Sequence, residues 1–311
     1  MKFNLVKDSK IPVTVITGFL GAGKTTFINQ LLAKYESSKF ALVENEFGEV
    51  SIDTKLVKGL DASQMFELKN GCICCTISDE YELTLLELAQ RFPDVDHLLI
   101  ETTGVADPAP VIQPFFRDER LQQTFSFNGT ICLLDAIHFD DVPEKEIPLK
   151  QLAVADQILI NKSEKKSREE RDEILDWLRK LNPFAKLSFA VFGKAEEFDL
   201  EKVMQKTRTT FDFMSFNSNH QHIETRLMEF EGTMTKQAFL RWFTYLMDVN
   251  KRAIYRVKGI MYFEDEPFEY IVQGVGGNFE LTEGDLAMAP GESKLVFIGN
   301  LNKIVLDPNI C

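Results

Sequence analysis

The chain has 311 residues, of which 44% are hydrophobic and 27% are charged, and its formal net charge is -13. This length suggests about two domains with a sizeable core, and the negative charge argues against a broad nucleic-acid surface because phosphate groups would repel it. The sequence starts without the long apolar core of a signal peptide and has no run long enough to span a bilayer, so we expect a cytoplasmic protein that binds neither nucleic acid nor membranes.

The first predicted strand, residues 13–17, leads directly into a glycine-rich loop and then into a predicted helix at 25–34. The loop matches the phosphate-binding pattern G-x-x-x-x-G-K-[ST] from Gly18 to Thr25. Glycines let successive backbone N–H groups turn towards a phosphate, and the helix adds its positive N-terminus. We expect Lys24 to reach the β- and γ-phosphates and the Thr25 hydroxyl to ligate Mg²⁺. The candidate nucleotide-binding residues of this loop are Gly21, Ala22, Gly23, Lys24, Thr25 and Thr26.

Apolar runs that suit strands buried on both faces of a sheet recur along the first two thirds of the chain. The predicted strands after the first are residues 40–44, 97–101, 130–134, 157–160 and 187–192. Helical patterns at 79–91 and 167–181 separate some of them, and the first of these carries Leu83, Leu86 and Leu88. This alternation predicts an α/β fold, namely a P-loop NTPase domain with a mainly parallel sheet.

A second domain is predicted after the polar residues 213–222, which suit a linker. Strand patterns follow at 223–230, 254–263, 269–275 and 294–298, and a helical pattern runs from about residue 235 to 247. These elements indicate a smaller α+β C-terminal domain. The predicted domains are therefore residues 1–215 and 216–311.

Two strand ends of the first domain suit a nucleotide hydrolase. Glu101 ends one strand, where an acid can hold Mg²⁺, and Gly104 follows it, where a backbone N–H can sense a γ-phosphate. Asn161, Lys162 and Glu164 follow another strand and resemble the N-K-x-D pattern of guanine-specific proteins. Glu164 has the same two oxygens as the usual Asp on one more methylene group, so guanine binding is expected while the degree of selectivity stays open.

Three cysteines in close sequence, Cys72, Cys74 and Cys75, predict a site for a soft or borderline metal ion such as Zn²⁺ or Cu(I). Three thiolates leave a tetrahedral ion one ligand short, which suits a metal that must be handed on. Buried small apolar side chains or a redox pair are the alternatives. The acids Glu44, Glu46 and Glu49 could ligate Mg²⁺, orient water or lend an oxygen to the thiolate-bound metal, and their individual roles stay open.

Taken together, these segments resemble the CobW-type metal-chaperone GTPases over nearly the whole chain, and the G-C-I-C-C cluster at 71–75 is the most specific match. The resemblance implies GTP hydrolysis to GDP, coupled to binding and delivery of a transition metal, most often Zn²⁺ and in some relatives Co²⁺, to a client protein. It implies that Glu44–Glu49 form the switch that couples the two sites. It also implies that Cys72, Cys74 and Cys75 hold the transition metal. Our candidates for further ligands of that metal are Glu44 and Glu49, those for Mg²⁺ are Thr25 and Glu101, and the candidate catalytic residues are Lys24, Glu46 and Glu101.

The expected mechanism is a metal site gated by nucleotide. GTP and Mg²⁺ would order the acidic segment through the γ-phosphate, and hydrolysis would relax it and loosen the metal. Two other functions stay open at this point. A P-loop kinase acting on a small metabolite would prefer ATP and give the cysteines no role, and a non-catalytic zinc buffer would bind metal without turnover.

Overall fold

Two β-sheets covered by helices form the core of the protein. The computed structural model describes residues 10–45, 65–67, 79–142, 145–195, 198–203, 217–220, 223–230, 232, 234–287, 291–302 and 304–306. The first sheet is parallel and the second is antiparallel, so the predicted fold class is confirmed. Residues 215 and 216 both lie outside the described residues, so the domain boundary predicted between them stays a prediction.

The first sheet contains every strand predicted for this half of the chain. Its strands are β1 (Ile11–Gly18), β2 (Phe40–Asn45), β3 (Met65–Glu67), β4 (His97–Thr102), β5 (Phe125–Asp135), β6 (Gln157–Asn161) and β7 (Lys186–Phe189). Its helices are α1 (Lys24–Lys34), α2 (Asp79–Arg91), α3 (Ala109–Ile112), α4 (Pro114–Arg117), α5 (Glu119–Thr124), α6 (Glu146–Val154) and α7 (Arg168–Leu181). The strand order is β3-β2-β4-β1-β5-β6-β7.

Strand β1 lies at the centre of this sheet, between β4 and β5, and is buried on both faces. Val13 and Val15 belong to the apolar cluster on one face, and Ile16 belongs to the cluster on the other. Phe27 and Leu31 of α1 pack into that second cluster. The loop between β1 and α1 is therefore held at both ends by buried elements, at the carboxyl edge of the sheet where ligands bind in open α/β folds.

Helix α2 lies at the predicted position, but only part of the predicted leucine pattern faces the core: Leu88 and Leu86 do, and Leu83 does not. Leu85 and Leu88 are fully buried, whereas Leu83 is 51% exposed. The difference arises because Glu82 is also buried. Its carboxylate accepts hydrogen bonds from Arg117 at the end of α4 and from Arg120 of α5. A paired carboxylate can occupy a core-facing position that a purely apolar pattern would not assign to it.

The second sheet contains β8 (Asn217–His220), β9 (Ile223–Glu229), β10 (Ile254–Tyr262), β11 (Phe268–Val275), β12 (Asn278–Leu286) and β13 (Lys294–Gly299), in the order β12-β11-β10-β13-β9-β8. Helix α8 (Lys236–Val249) packs on it through aromatic residues that include Phe239 and Phe243. Thr235 caps this helix by accepting a hydrogen bond from the Ala238 N–H. Among the described residues, no helix is both long and apolar enough to cross a membrane.

Both edge strands of the second sheet escaped the sequence analysis. Strand β8 lies within residues 213–222, which were expected to be a linker, and pairs antiparallel with β9. Strand β12 carries mainly polar residues and pairs antiparallel with β11. Edge strands are stabilised by backbone pairing on one side and need no continuous apolar pattern, so composition alone does not reveal them.

Candidate nucleotide site

The phosphate loop joins β1 to α1 and requires glycine at several positions. Gly18, Gly21 and Gly23 have φ values of 131°, 80° and 99°, a region that other residues rarely adopt. A Cβ at Gly18 would overlap the backbone of Leu133 on β5, and a Cβ at Gly23 would lie 2.5 Å from the Asn161 Nδ2. Among the described residues, no side chain caps the N-terminus of α1, and the N–H groups of its first turn point to where an anion could bind.

Lys24 is the first residue of α1, and its side chain folds back over the loop. The Nζ donates hydrogen bonds to the Gly18 oxygen at 2.9 Å and to the Phe19 oxygen at 3.1 Å. Burial lowers the pKa of Lys24, while the nearby Glu101 and Cys132 act to raise it. The ammonium group is thus positioned inside the loop, close to the carboxylate at the end of β4.

The end of β4 places oxygen atoms beside the phosphate loop. Glu101 pairs with Ile16 of β1 in the sheet register, and the Thr102 hydroxyl donates a hydrogen bond to the Thr17 hydroxyl at 2.8 Å. Thr25 lies half-buried in the first turn of α1. Hydroxyl and carboxylate oxygens are the ligands that Mg²⁺ prefers, so this donor set fits that ion. The Thr103 Oγ1 is buried without a hydrogen-bond partner in the described part of the chain, so a bound polar group could satisfy it.

Gly104 brings the loop that follows β4 into contact with the phosphate loop. A Cβ at this position would overlap the backbone N of Leu20. Backbone approaches of this kind require glycine. A side chain at this position would therefore force the two loops apart.

Asn161, at the end of β6, bonds two other segments of the chain through its buried side chain. The Nδ2 donates to the Ala22 oxygen in the phosphate loop at 2.9 Å. The Oδ1 accepts from the Gly193 N–H at 3.1 Å. Asn161 therefore fixes the phosphate loop against the segment that follows β7.

Lys162 is held in a fixed position by an acid that the sequence analysis missed. Its φ is 60°, and its Nζ donates to the Asp135 Oδ2 at 2.7 Å. Asp135 also accepts from the Ile137 N–H, and His138 Nδ1 lies 3.0 Å from it. Burial raises the pKa of Asp135, but the hydrogen bonds from Lys162 and His138 outweigh burial and hold it below its ordinary value. The available signal was an acid at the end of the predicted strand 130–134.

Glu164 lies in the helical turn Ser163–Lys165 that follows Lys162, and it is exposed at the same edge of the sheet. The described structure thus brings the phosphate loop, Glu101, Gly104 and the residues Asn161–Glu164 together along the carboxyl ends of β1, β4 and β6. The neighbouring loop after β7 was not identified from the sequence.

The predicted transition-metal site falls largely outside the described residues. Cys72, Cys74, Cys75, Glu46 and Glu49 all lie there. For Glu44 the backbone position is described, in β2 and paired with Glu101 of β4. Within the described ranges, no group of three or more His, Cys, Asp and Glu residues could hold a metal ion.

Comparison with known proteins gives matches over both halves of the chain. The family model "CobW/HypB/UreG, nucleotide-binding domain" matches residues 12–189, and "Cobalamin synthesis protein cobW C-terminal domain" matches residues 223–307. The zinc chaperone YjiA of Escherichia coli (strain K12) is 34% identical over 306 residues, covering 93% of this chain and 94% of that protein.

Two further matches extend this similarity. The zinc-regulated GTPase metalloprotein activator 1 of Schizosaccharomyces pombe is 27% identical over 315 residues, covering 87% of this chain and 76% of that protein. The crystal structure of the Zn(II)-bound YjiA GTPase from E. coli has a TM-score of 0.67 at 27% identity, covering 94% of this chain and 95% of that one. Both domains are thus similar to one solved structure.

Proposed function

The chain belongs to the CobW family, and from this membership and the geometry of the site we propose that it hydrolyses GTP to GDP and phosphate and couples this reaction to binding zinc and delivering it to a client protein. Relatives named zinc chaperone and zinc-regulated GTPase support both halves of the proposal. The proposed domains are residues 1–215 for the GTPase and 216–311 for the CobW-like C-terminal domain.

The proposal that the protein binds and hydrolyses GTP rests on one observation, the pair of hydrogen bonds made by the Asn161 side chain. Its side chain bonds the phosphate loop through Ala22 and the loop after β7 through Gly193, so the segment that would read the base is fixed to the segment that would hold the phosphates. We assign the phosphates to the loop residues 21–26 and the guanine edge to Glu164, whose two oxygens can accept from adjacent N–H donors.

Thr25 and Glu101 would hold Mg²⁺, which neutralises charge on the β- and γ-phosphates when bound. Lys24 would stabilise the negative charge that develops during phosphoryl transfer, because its ammonium group is already held inside the loop. We assign Glu46 to orienting the attacking water. Gly104 would report the presence of the γ-phosphate, since its backbone already contacts the phosphate loop.

We assign the zinc to Cys72, Cys74 and Cys75, with Glu44 and Glu49 as candidate oxygen ligands. Thiolates favour Zn²⁺ over Mg²⁺, so Zn²⁺ would bind the cysteine sulfurs and Mg²⁺ would bind the oxygen ligands. Glu44 supports a connection between the sites, because it pairs in register with Glu101 at the end of the neighbouring strand.

A direct test compares GTP and ATP binding by calorimetry and phosphate release with Mg²⁺ present. We expect GTP to bind at least about 100-fold more tightly than ATP, because adenine would leave the two Glu164 oxygens without the N–H donors that guanine offers. Lys24→Ala should abolish turnover, whereas Lys39→Ala, an exposed lysine after α1, should not. Preference for ATP with phosphate transfer to a metabolite would favour the kinase alternative, and zinc binding without turnover would favour the buffer.

A further inference from the structure

A tight turn follows β7 and places an aromatic side chain in an unusual backbone conformation. The Val191 N–H donates to the Lys194 oxygen at 3.1 Å, and the Lys194 N–H donates to the Val191 oxygen at 3.0 Å. The two central residues, Phe192 and Gly193, have φ values of 49° and 73°. This is the pattern of a type I′ turn, which strongly favours Asn, Asp or Gly at both central positions. A phenylalanine there is a conformational outlier, and such outliers point to function.

The turn is fixed to the nucleotide site on two sides. The Gly193 N–H donates to the Asn161 Oδ1, and a Cβ at Gly193 would lie 2.7 Å from the Phe27 N in α1. The Ala190 N–H donates to the Ile160 oxygen of β6, which immediately precedes Asn161. The turn therefore lies beside the segment Asn161–Glu164 and is hydrogen-bonded to it.

The ring of Phe192 projects away from the apolar core. It is 74% exposed, more than Tyr245 on the surface of α8 at 59%. An exposed aromatic residue normally gains nothing from a strained backbone, and an asparagine or glycine would suit both the turn and the solvent better. The position thus favours a ligand that binds beside Asn161–Glu164.

We propose that the Phe192 ring stacks on the purine base of the bound nucleotide and is an affinity-determining residue of the base pocket. This inference rests on the proposed guanine-nucleotide function and adds a contact to it. Lys162, whose Nζ is held by Asp135, lies in the segment Asn161–Glu164 beside which the base would bind. Stacking tolerates any base, so Phe192 supplies affinity while the Glu164 carboxylate supplies selectivity for guanine.

The test uses the full chain with two probes, GDP and inorganic tripolyphosphate, which lacks a base. Phe192→Asn should raise the GDP dissociation constant about tenfold and leave that for tripolyphosphate unchanged. The same variant should raise the melting temperature without nucleotide by about 1–3 °C, because Asn suits a type I′ turn. Phe192→Tyr keeps the aromatic face and should bind GDP like the wild type.

The matched control is Tyr245→Asn, which removes an exposed aromatic ring from the second domain and should leave both dissociation constants unchanged. Unchanged GDP affinity in Phe192→Asn would overturn the stacking proposal while the proposed function stands. Equal weakening of GDP and tripolyphosphate would also overturn it, because the loss would then come from the loop and not from the base. Failure of the wild-type protein to bind GDP would overturn both.

Discussion

His97 makes the stability of the first domain depend on pH. Its imidazole is buried between strands, with Nε2 2.8 Å from the Thr14 Oγ1. Burial lowers the pKa of His97 to about 4, against an ordinary value near 6.5. The folded protein therefore keeps this ring neutral at a pH where the unfolded chain already binds a proton.

The sign of the resulting pH dependence follows from that difference. Between pH 6.5 and about 4 the unfolded state binds more protons, so the contribution of His97 to stability is present above pH 6.5 and is lost as the pH falls through this window. We expect a loss of about 3 kcal/mol in the free energy of unfolding across the whole window. His97→Gln, measured by urea unfolding at pH 7 and 4.5, should lack most of that loss. Parallel curves for the two proteins down to pH 4.5 would contradict the assignment.

Individual site residues could be predicted where they form a short local motif. The contacts between these residues could not be predicted. The phosphate loop and the Asn161–Glu164 segment follow from short motifs after predicted strands. The bridge from Asn161 to Ala22 spans 139 positions in the chain, and no local pattern reveals it. Phe192 was missed for the same reason, since its position beside Asn161 arises only when β6 and β7 lie side by side. Asp135 was visible as an acid at the end of a predicted strand, but its pairing with Lys162 was not.

The contact between the phosphate loop and the segment after β4 is central to any nucleotide switch in this protein. Gly104 allows the two backbones to touch at Leu20. Beyond it, Ala106 is held by the Gln151 Nε2 of α6 at 3.1 Å, so the segment is anchored a few residues past the contact. Movement caused by a γ-phosphate would therefore concentrate between Gly104 and Ala106.

Gly104→Ala tests this contact. The added Cβ would overlap the Leu20 nitrogen and push the two loops apart, so GTP hydrolysis should fall at least about tenfold, which is the loss of about 1.4 kcal/mol of transition-state stabilisation. GDP binding should change less. Val249→Ala, which shortens a side chain that is 60% exposed at the end of α8, is the control and should leave hydrolysis unchanged. Normal hydrolysis in Gly104→Ala would rule out this role for the contact.

The order of helices and strands was predictable wherever apolar periodicity is strong. Helix α2 shows the limit, because its buried carboxylate at Glu82 pairs with arginines that lie 35 and 38 residues further along the chain. The short helices α3 to α5 were not predicted from the sequence for a different reason. They span only four to six residues each and depend on proline and on the Asp118 cap more than on periodicity.

The two sheets are joined by a buried ionic cluster at the edge opposite the nucleotide site. Asp156 precedes β6, and its carboxylate bonds the Thr130 N–H at 2.9 Å, the Lys258 Nζ at 2.8 Å and the Arg256 guanidinium. Arg256 also donates to the Val154 oxygen of α6. Burial raises the pKa of Asp156, but the two cations outweigh burial and hold it below its ordinary value.

Asp156→Asn should destabilise the protein by about 3–5 kcal/mol, because two buried cations would lose their counter-charge. Urea unfolding at pH 7 measures the loss. The companion triple variant Asp156→Asn, Arg256→Met, Lys258→Met removes all three charges, and we expect it to lose less than the single variant does. A loss below about 1 kcal/mol in the single variant would show that the cluster does not hold the two sheets together.

A second contact between the domains lies closer to the nucleotide switch. The Gln113 Nε2, between α3 and α4, donates to the Gly276 oxygen in the turn between β11 and β12 at 2.7 Å. Val275 packs into the apolar cluster of the first domain. The chain that leaves Gly104 thus reaches the second domain within nine residues.

Coupling between the nucleotide and the zinc is the central feature of the proposed function. The most direct measurement is a zinc titration in competition with a chromophoric chelator, repeated without nucleotide, with GDP and with a non-hydrolysable GTP analogue. We predict that the analogue tightens zinc binding at least about tenfold relative to GDP, and that zinc tightens the analogue by the same factor because linkage is reciprocal. Cys74→Ala should weaken zinc binding and leave GDP binding intact. Equal zinc affinity in all three states would contradict the account.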